Sequence, residues 1–470
     1  MRPAALVIPL LLLLLAIGVS TGVQGIDRLR VAYRWKQLDF DWPDSKDDDV
    51  RRAFPSYDAA DNLPLGLEVS GDRLFVTVPR WRRGVAASLN YIRLNDTRES
   101  PPLIPYPSWE AHEYRDDGRS PPEIVSPFRI RADRCDRLWV LDTGLSDILG
   151  SPEQQSAPSL LVYDLRRDRL LRRYPIPEEQ RTPDSLFANL VVEDHREDCA
   201  DAHAYLADLG GPGLVVYSWR RDSSWLIKHH YFHPDPMAGE FNVGGVVFHW
   251  SDGILGMALQ PHEDGYSTLY FHPLTSTAEF SVGTRLLRDP KRADTSEGFH
   301  EFRLLGSRGP NGQSSVSFLD PASGVLVYAL TNLNAIACWR AGSRYTLQRQ
   351  GRVYMDNVTM VFPNDIKIDR RGTIYVLSDR LPAFMYNRLD PEDYNYRILT
   401  GNLAEAVNGT VCEPPRTSSK DNNDALDTRI NRLPSSRRNS ATAAITSCGR
   451  STILLMTAAV ALAALTQVDW

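Results

Sequence analysis

Short apolar runs recur along the chain, and most of them are opened by a turn residue. Runs of this kind, rich in β-branched and aromatic residues, are typical of buried strands. Six of them follow one another at intervals of roughly 50–70 residues, close to the repeat length of propeller blades. They are Asp72-Arg-Leu-Phe-Val-Thr-Val, Asp136-Arg-Leu-Trp-Val-Leu-Asp, Ala204-Tyr-Leu-Ala-Asp-Leu, Gly253-Ile-Leu-Gly-Met-Ala-Leu, Gly324-Val-Leu-Val-Tyr-Ala-Leu and Gly372-Thr-Ile-Tyr-Val-Leu-Ser. The pattern predicts an all-β fold, a six-bladed β-propeller in a single domain.

A second kind of strand follows three of these runs. It begins at Leu160, Gly213 and Ser267, and we interpret it as the next strand of the same blade. Gly, Pro, Asn and Asp punctuate the chain throughout, and no long amphipathic helical pattern interrupts them. We expect the innermost strands of the blades to line a central channel.

The N-terminus has the pattern of a secretory signal peptide. Arg2 is followed by an apolar run from Ala4 to Val19, and Val23 and Gly25 occupy the small-residue positions of a cleavage site. We therefore predict a signal peptide over 1–25 and the propeller over 26–413. Residues 414–450 are polar and predicted to form a disordered stalk, and 451–470 form a hydrophobic tail.

The hydrophobic tail resembles the signal for a GPI anchor. Small residues at Asn439-Ser440-Ala441 precede a spacer of roughly 10 residues and then the apolar end, which is the order of such signals. Asn439 is the predicted attachment residue. Crossing a bilayer takes about 20 apolar residues, which the tail approaches only with its last polar residues included. The alternative is a tail anchor, so any membrane association is expected through this end alone.

Four cysteines remain in the predicted mature chain, and an even number in an oxidising compartment indicates two disulfides. Of the three possible pairings we favour Cys135–Cys199 and Cys338–Cys412, because each links neighbouring repeats. Three glycosylation sequons fall in the same region, at Asn95, Asn357 and Asn408. With the signal peptide, they predict an extracellular glycoprotein that is either secreted or anchored at the cell surface.

Charge and motifs exclude several classes of function. The net charge is −6, and the arginines are scattered rather than gathered in the basic stripe of a nucleic-acid binder. His229, His230 and His233 are close in sequence, but neighbouring side chains of a strand point to opposite faces, so we predict no metal site. No GxSxG, HExxH or Walker-type motif is present, and no cofactor is expected.

Polar residues at or near the ends of the predicted strands are the candidate ligand-binding groups. Around one axis, carboxylates and amides could hold a cationic amine through charge-assisted hydrogen bonds, flanked by Trp139, Tyr328 or Tyr375. The alternative is that these side chains cap turns. The candidates are Asp142, Asp208, Asn332, Asn364, Asp365 and Asp379.

Six distinctive stretches follow one another along the whole predicted domain. They are Trp35-Lys-Gln-Leu-Asp-Phe, Arg73-Leu-Phe-Val-Thr-Val-Pro-Arg-Trp, Ser126-Pro-Phe-Arg-Ile, Leu138-Trp-Val-Leu-Asp-Thr-Gly, Phe232-His-Pro-Asp-Pro and Phe362-Pro-Asn-Asp-Ile-Lys-Ile. As an ordered set, these stretches resemble the Yellow / major royal jelly protein family of insects. The resemblance implies a six-bladed extracellular propeller. It also implies links to cuticle pigmentation and melanin chemistry, or to development, and in some relatives amine binding in the axial channel.

The sequence and the family resemblance leave three functions open. The first is an extracellular protein of pigmentation, cuticle or developmental matrix that binds a small aromatic amine or catechol-type ligand in the channel. The second is an enzyme that tautomerises dopachrome, with Asp142 or Asp208 as general base and a channel cation on the developing oxyanion. No catalytic residue is marked by a motif. The third is a structural or nutritive secretion, which the anchor-like tail argues against.

Overall fold

The computed structural model describes residues 28–43, 54–113, 121–195 and 197–415. The predicted signal peptide, nearly all of the predicted stalk, the hydrophobic tail and Asn439 lie outside these residues. No helix in the described part of the chain has the length and apolar character needed to span a bilayer.

The regular secondary structure of the described chain consists mostly of antiparallel strands. In chain order they are β1 Arg30–Trp35, β2 Gly66–Ser70, β3 Arg73–Thr77, β4 Leu89–Arg93, β5 Ile104–Pro105, β6 Pro127–Ala132, β7 Arg137–Asp142, β8 Leu145–Ser146, β9 Glu153–Gln154, β10 Ser159–Asp164, β11 Arg169–Pro175, β12 Phe187–His195, β13 Asp198–Asp208, β14 Gly213–Ser218, β15 Ser223–Ile227, β16 Glu240–Val243, β17 Val246–His249, β18 Ile254–Pro261, β19 Ser267–Pro273, β20 Ala278–Gly283, β21 Arg303–Ser307, β22 Ser317–Asp320, β23 Val325–Leu330, β24 Ala335–Arg340, β25 Gln350–Met355, β26 Phe362–Ile368, β27 Thr373–Asp379 and β28 Tyr396–Asn402. Five short α-helices accompany them, α1 Thr284–Leu287, α2 Pro290–Ala293, α3 Ser296–Phe299, α4 Leu381–Tyr386 and α5 Leu403–Val407.

Six four-stranded sheets form the blades, as the sequence predicts. From the axis outwards they are β2-β3-β4-β5, β6-β7-β10-β11, β12-β13-β14-β15, β18-β19-β20-β21, β22-β23-β24-β25 and β26-β27-β28-β1, called blades 1 to 6. The first strand of each blade lies beside that of the next, and β26 returns to β2. The ring is closed by the N-terminal strand β1, which pairs with β28 from Arg30↔Thr400 to Trp35↔Tyr396.

The six apolar runs are, with one exception, not the innermost strands of the blades, which are the strands expected to line the channel. Five of them are the second strands of their blades, β3, β7, β13, β23 and β27, and only the run at Gly253 is an innermost strand, β18. Unlike an innermost strand, a second strand pairs with strands on both edges and is covered by blades on both faces, so it is more continuously apolar than the innermost one. The second kind of predicted strand is confirmed as β10, β14 and β19, each paired with the preceding run.

Blade-to-blade packing supplies the core. Each of the six interfaces has its own cluster of buried apolar side chains, such as Tyr205 with Phe271 between blades 3 and 4, or Val327 with Ile366 between blades 5 and 6. A blade cannot bury both faces alone, so stacking against two neighbours stabilises all of them.

Two disulfides have the pairing favoured from the sequence. Cys135, in the β6–β7 turn of blade 2, is bonded to Cys199 on β13 of blade 3. Cys338, on β24 of blade 5, is bonded to Cys412, just after α5. The three sequon asparagines Asn95, Asn357 and Asn408 are exposed at the ends of strands or helices, where glycans have room; their glycosylation stays a prediction.

Candidate functional site at the propeller axis

β-Bulges near the start of the innermost strands direct polar side chains across the axis. The register shifts there in blades 2, 3, 4 and 6, and a bulge re-aims the side chain that it carries. From the bulge of β6, Arg129 donates to the backbone oxygens of Leu65 and Asn364 and to Asn364 Oδ1. From β12, Asn189 Nδ2 donates to the backbone oxygen of Leu255 at 2.6 Å.

Two carboxylates bind the inner edges of neighbouring strands. Asp365 Oδ2 of blade 6 accepts the backbone N–H of Leu67 in blade 1 at 2.8 Å. In the same way, Glu68 Oε2 of blade 1 accepts the backbone N–H of Ala132 in blade 2 at 3.1 Å. The Lys367 ammonium lies 2.8 Å from both carboxylate oxygens of Asp365. These contacts join blades 6, 1 and 2 at the axis.

We call the residues gathered here the axial cluster. Its members are Glu68, Arg129, Arg131, Asn364, Asp365 and Lys367. Arg131 donates to Glu68 Oε2 at 3.3 Å and lies over the Phe318 ring, 4.7 Å from its centroid. Burial lowers the pKa of Lys367, and the Asp365 carboxylate opposes that shift. The cluster therefore holds three cations against two carboxylates, with all but Arg131 almost fully withdrawn from water.

One donor of the cluster has no hydrogen-bond partner in the described structure. Arg129 Nε is buried, and the nearest carboxylate oxygen, Asp365 Oδ2, is 3.8 Å away. An unpaired polar group in a dry site costs free energy, so it is a natural point of attachment for an oxygen of a ligand.

Three of the six predicted ligand-binding residues meet at this site. Asn364 and Asp365 belong to the axial cluster, and Asp379 lies directly beside it, because Asn364 Nδ2 donates to Asp379 Oδ2 at 2.7 Å. Asp379 Oδ1 also accepts the backbone N–H of Leu381 at 2.9 Å. Burial raises the pKa of Asp379 to about 7, against the opposing effect of these hydrogen bonds and of Arg129.

Asp142 and Asp208 occupy equivalent places in blades 2 and 3, outside the axial cluster. Each ends a second strand and accepts hydrogen bonds from the segment that leads into the innermost strand. Asp142 accepts the N–H groups of Val125 and Ser126 at 2.8 and 2.7 Å, and Asp208 accepts that of Leu186 at 2.9 Å. These are the capping contacts that formed the alternative interpretation.

Asn332 also lies outside the cluster. It donates to the backbone oxygen of Glu240 at 3.1 Å and accepts the N–H of Asn242 at 3.0 Å. It thereby fastens the β16–β17 hairpin to blade 5. Phe241 and Phe248 of this hairpin belong to a large apolar cluster that reaches the axis.

That apolar cluster covers the end of the axis where the innermost strands begin. The hairpin aromatics share it with Leu255, in the bulge of β18, with Phe362 at the start of β26, and with Phe384 of α4. Connections between strands therefore close this end, and the charged side chains lie beneath them. Low dielectric strengthens the interactions of charges in such a site.

The aromatic side chains expected to flank a ligand are part of the blade core instead. Trp139 is fully buried and donates from Nε1 to Asp133 at 2.8 Å. Tyr328 is fully buried and donates to Gln350. Phe318, under Arg131, is the ring that approaches the cluster. The sequence analysis does not single out the charged members Glu68, Arg129, Arg131 and Lys367. Their signal is a charged residue with apolar neighbours in an innermost strand.

Potential metal ligands are engaged elsewhere in the described residues. Asp133, Cys135 and Asp194 have ligand atoms within 4.8 Å of one another, but the Cys135 sulfur is in a disulfide. His229 accepts the N–H of Tyr231 at 3.1 Å, and its ring stacks on Phe302 with centroids 4.0 Å apart. His229 precedes a 3-10 turn, His230–Phe232, rather than lying in a strand.

Two cavities of the described structure lie away from the axis. One of about 660 Å³ lies at the opposite ends of the blade 3 and blade 4 strands, and one of about 370 Å³ lies between β1 and the connection after β4. No member of the axial cluster lines either of them.

Comparison with known proteins places the chain in a family. The family model for "Major royal jelly protein" matches residues 125–412. Protein yellow of Drosophila subobscura is 42% identical over 419 residues, covering 87% of this chain and 72% of the relative. Protein yellow of Drosophila melanogaster is 42% identical over 403 residues, covering 83% and 73%. A chain of a nidogen/laminin crystal structure covers 60% of this chain and 77% of its own length at a TM-score of 0.34 and 9% identity, too low to support an inference. The chain therefore belongs to the Yellow / major royal jelly protein family.

Proposed function

We propose that this protein acts outside the cell in cuticle pigmentation or a related developmental matrix, and that it binds a small catechol-type ligand at the axial cluster. The observation that carries the first part is the 42% identity to Protein yellow across 87% of the chain. Resemblance to this family implies the link to pigmentation. The second part rests on the charges gathered around Arg129.

The arrangement of charges favours a catechol over a simple amine. Both carboxylates of the cluster, Glu68 and Asp365, already bind Arg131 and Lys367. An ammonium ligand would have to compete with these resident cations. Catechol hydroxyls instead offer oxygens that accept from a guanidinium and protons that donate to a carboxylate. The unpartnered Nε of Arg129 is the donor available for this purpose.

Calorimetry on the purified full-length protein tests the binding proposal. Dopamine and 4-methylcatechol are expected to bind, and tyramine, which lacks one hydroxyl, at least ~10-fold more weakly because one hydrogen bond to a charged group is lost. Arg129→Met should abolish binding, and Arg129→Lys should retain part of it. Arg308→Met is the matched control, because Arg308 is equally buried but lies between blades 4 and 5. Heats equal to dilution for all three compounds would refute the proposal.

Genetic complementation tests the role in pigmentation. The chain would be expressed in Drosophila melanogaster lacking its Protein yellow, and cuticle colour would be scored by reflectance. Restoration by the wild-type chain but not by Arg129→Met, at equal secreted amounts, is the expected result. Failure of a well-secreted wild-type chain to change the colour would contradict the proposed role.

A dopachrome tautomerase is the second candidate, and Asp379 is the residue that favours it. A general base works best with a pKa near the working pH, and burial raises the pKa of Asp379 to about 7. Asn364 connects it to Arg129, which could stabilise a developing oxyanion. Loss of dopachrome absorbance would be followed with wild type, Asp379→Asn and a boiled sample. A wild-type rate equal to the boiled control removes this candidate.

Localisation at the cell surface is a separate proposal. Proteins of this family are typically secreted, and we propose that residues 451–470 direct a GPI anchor to Asn439. A phosphatidylinositol-specific phospholipase should release the full chain from cells. A chain ending at 450 should appear in the medium without the enzyme. Retention of the full chain on membranes after digestion would favour a tail anchor instead.

A further inference from the structure

A cavity of about 660 Å³ opens between blades 3 and 4, at the end of the propeller opposite to the apolar cover of the axis. Its walls come from the start of β13, the β14–β15 turn, the residue before β19, and the segment of α1 and α2. We call it the basic cavity. The lining residues on which the inference depends are His203, Arg221, Tyr266, Arg285, Arg288 and Lys291.

The lining has a strong excess of positive charge. Six lining residues are arginine or lysine, while Asp201 and Asp289 are its carboxylates. Three of the six cations pair with carboxylates just outside the lining: Arg220 with Asp198, Arg285 with Asp264, and Arg292 with Glu301. The whole chain has a net charge of −6, so this local excess is not a consequence of composition. A cleft lined by one sign of charge focuses the field and concentrates counter-ions of the opposite sign.

Two of these cations have no ion-pair partner within the described part of the chain. Arg288 donates to Asp201 at 2.7 Å, and Arg285 pairs with Asp264 at 3.0 Å. Arg221 and Lys291 are exposed and make no such pair among the described residues. They are therefore available to an anionic ligand without the loss of an ion pair.

A buried histidine of the same wall provides an independent indication of a ligand. His203 is 5% exposed, and its Nδ1 has no hydrogen-bond partner in the described structure. Burial, together with the charge of Arg288, lowers the pKa of His203 to about 4, so the ring is neutral at extracellular pH. A neutral imidazole offers one donor and one acceptor, and a buried nitrogen of this kind is normally satisfied.

The cations of the wall are held in place before any ligand arrives. The Tyr266 ring has the Arg285 guanidinium 4.0 Å and the Arg288 guanidinium 5.0 Å from its centroid. Arg288 is further fixed by Asp201 and lies 3.7 Å from Glu193. Such pre-organisation reduces the entropy that binding would cost.

We infer that the basic cavity binds a ligand through tetrahedral oxyanion groups, either the sulfate esters of a glycan or the phosphates of a small molecule. Guanidinium forks match two oxygens of such a group, and lysine adds a point charge. The volume suits a ligand of the size of a short oligosaccharide or a polyphosphate rather than one bare ion. This site is separate from the axial cluster, so it stands whether or not a catechol binds there.

Calorimetry with the purified full-length protein distinguishes a sulfated glycan from a small phosphate compound as the ligand. The probes are a heparin hexasaccharide, the same hexasaccharide after chemical desulfation, and inositol hexakisphosphate. Saturable binding of the sulfated sugar or of the phosphate compound at 0.15 M NaCl is expected, with affinity falling as salt rises. The stronger of the two identifies the source. Binding of the desulfated sugar as tightly as the sulfated one, or of no probe at all, would overturn the inference.

Charge-reversal variants assign the binding to this cavity. Arg221→Glu combined with Lys291→Glu should weaken the preferred probe at least ~10-fold, because two attractive contacts become repulsive. Arg169→Glu combined with Arg303→Glu is the matched control, since both residues are exposed on outer strands of blades 2 and 4. Equal weakening by both pairs would show non-specific attraction and overturn the assignment.

Discussion

Removing the charge of Asp365 tests whether the axial cluster ties the ring of blades together. Its carboxylate is fully buried, lies 2.8 Å from the Lys367 ammonium, and accepts the backbone N–H of Leu67 across the junction of blades 6 and 1. Asp365→Asn preserves the shape but leaves the ammonium without its counter-charge. Lys367→Met leaves the carboxylate without its ammonium while filling the space of the aliphatic stem.

The expected loss in the free energy of unfolding follows from breaking the buried ion pair of Asp365 and Lys367. Loss of one partner of such a pair costs about 3–5 kcal/mol, because the other charge stays buried. Arg129 Nε, 3.8 Å from Asp365, compensates in part when Lys367 is replaced, so we expect ~3 kcal/mol for that variant. The double variant removes both charges, and its loss should be at least ~2 kcal/mol smaller than the sum of the single losses.

Urea unfolding at pH 7.4, followed by tryptophan fluorescence, gives the free energy of unfolding of the wild type and the three variants. The midpoints carry the comparison if the dependence on denaturant is unchanged. Losses that add to within ~0.5 kcal/mol would mean that Asp365 and Lys367 do not interact. That result would refute the reasoning that the cluster is an electrostatically coupled unit.

Three further predictions concern other parts of the fold. Replacing both Cys338 and Cys412 by alanine should lower the free energy of unfolding by about 4 kcal/mol, since the closed loop spans a separation of 74 residues; calorimetric melting measures this. Gly256→Ala should cost at least ~3 kcal/mol, because the new methyl carbon would lie 1.9 Å from Nε2 of the buried His272; urea unfolding detects it. The folded protein should lose stability as the pH rises from 4 to 7, because Asp379, whose pKa is raised to about 7 by burial, stays protonated there while the unfolded chain ionises. We expect the loss in the free energy of unfolding to be on the order of 4 kcal/mol and to be absent from Asp379→Asn; unfolding measured across that pH range tests this.

Control measurements separate these three effects from a general loss of stability. Reducing agent should lower the melting temperature of the wild type but not that of a variant lacking both disulfides. Gly283→Ala has open space around the new methyl group and should cost less than about 1 kcal/mol. Parallel pH profiles for the wild type and Asp379→Asn would contradict the assigned ionisation of this carboxyl.

The number of blades can be predicted from the sequence because the repeated feature is local. Each blade contains one short apolar run, and six runs correspond to six blades. The radial order was not readable. An apolar run reports how well a strand is covered, and a strand inside a blade is better covered than the innermost strand at its edge. Only β18, with its small residue Gly256, is both innermost and apolar enough to be found this way.

The candidate site could likewise be predicted only in part from the sequence. The sequence predicts Asn364, Asp365 and Asp379 as candidate ligand-binding residues because they are polar and lie at or near strand ends. Asp142 and Asp208 share that pattern, yet they cap the segments before the innermost strands. A strand-end carboxylate looks the same in both situations, since the sequence does not say whether its partner is a nearby backbone N–H or a distant side chain.

What the sequence by itself determined is the class of fold and the number of blades, and it favoured the disulfide pairing between neighbouring blades over two alternatives. What the tertiary structure decided is which charges meet. Arg129 contacts Asn364 across 235 positions, and Asp365 contacts Leu67 across 298. Charged side chains in strands usually face water, and these are buried only because the ring closes and brings blade 6 against blades 1 and 2. Closure is a property of all six sheets together, so no local pattern records it.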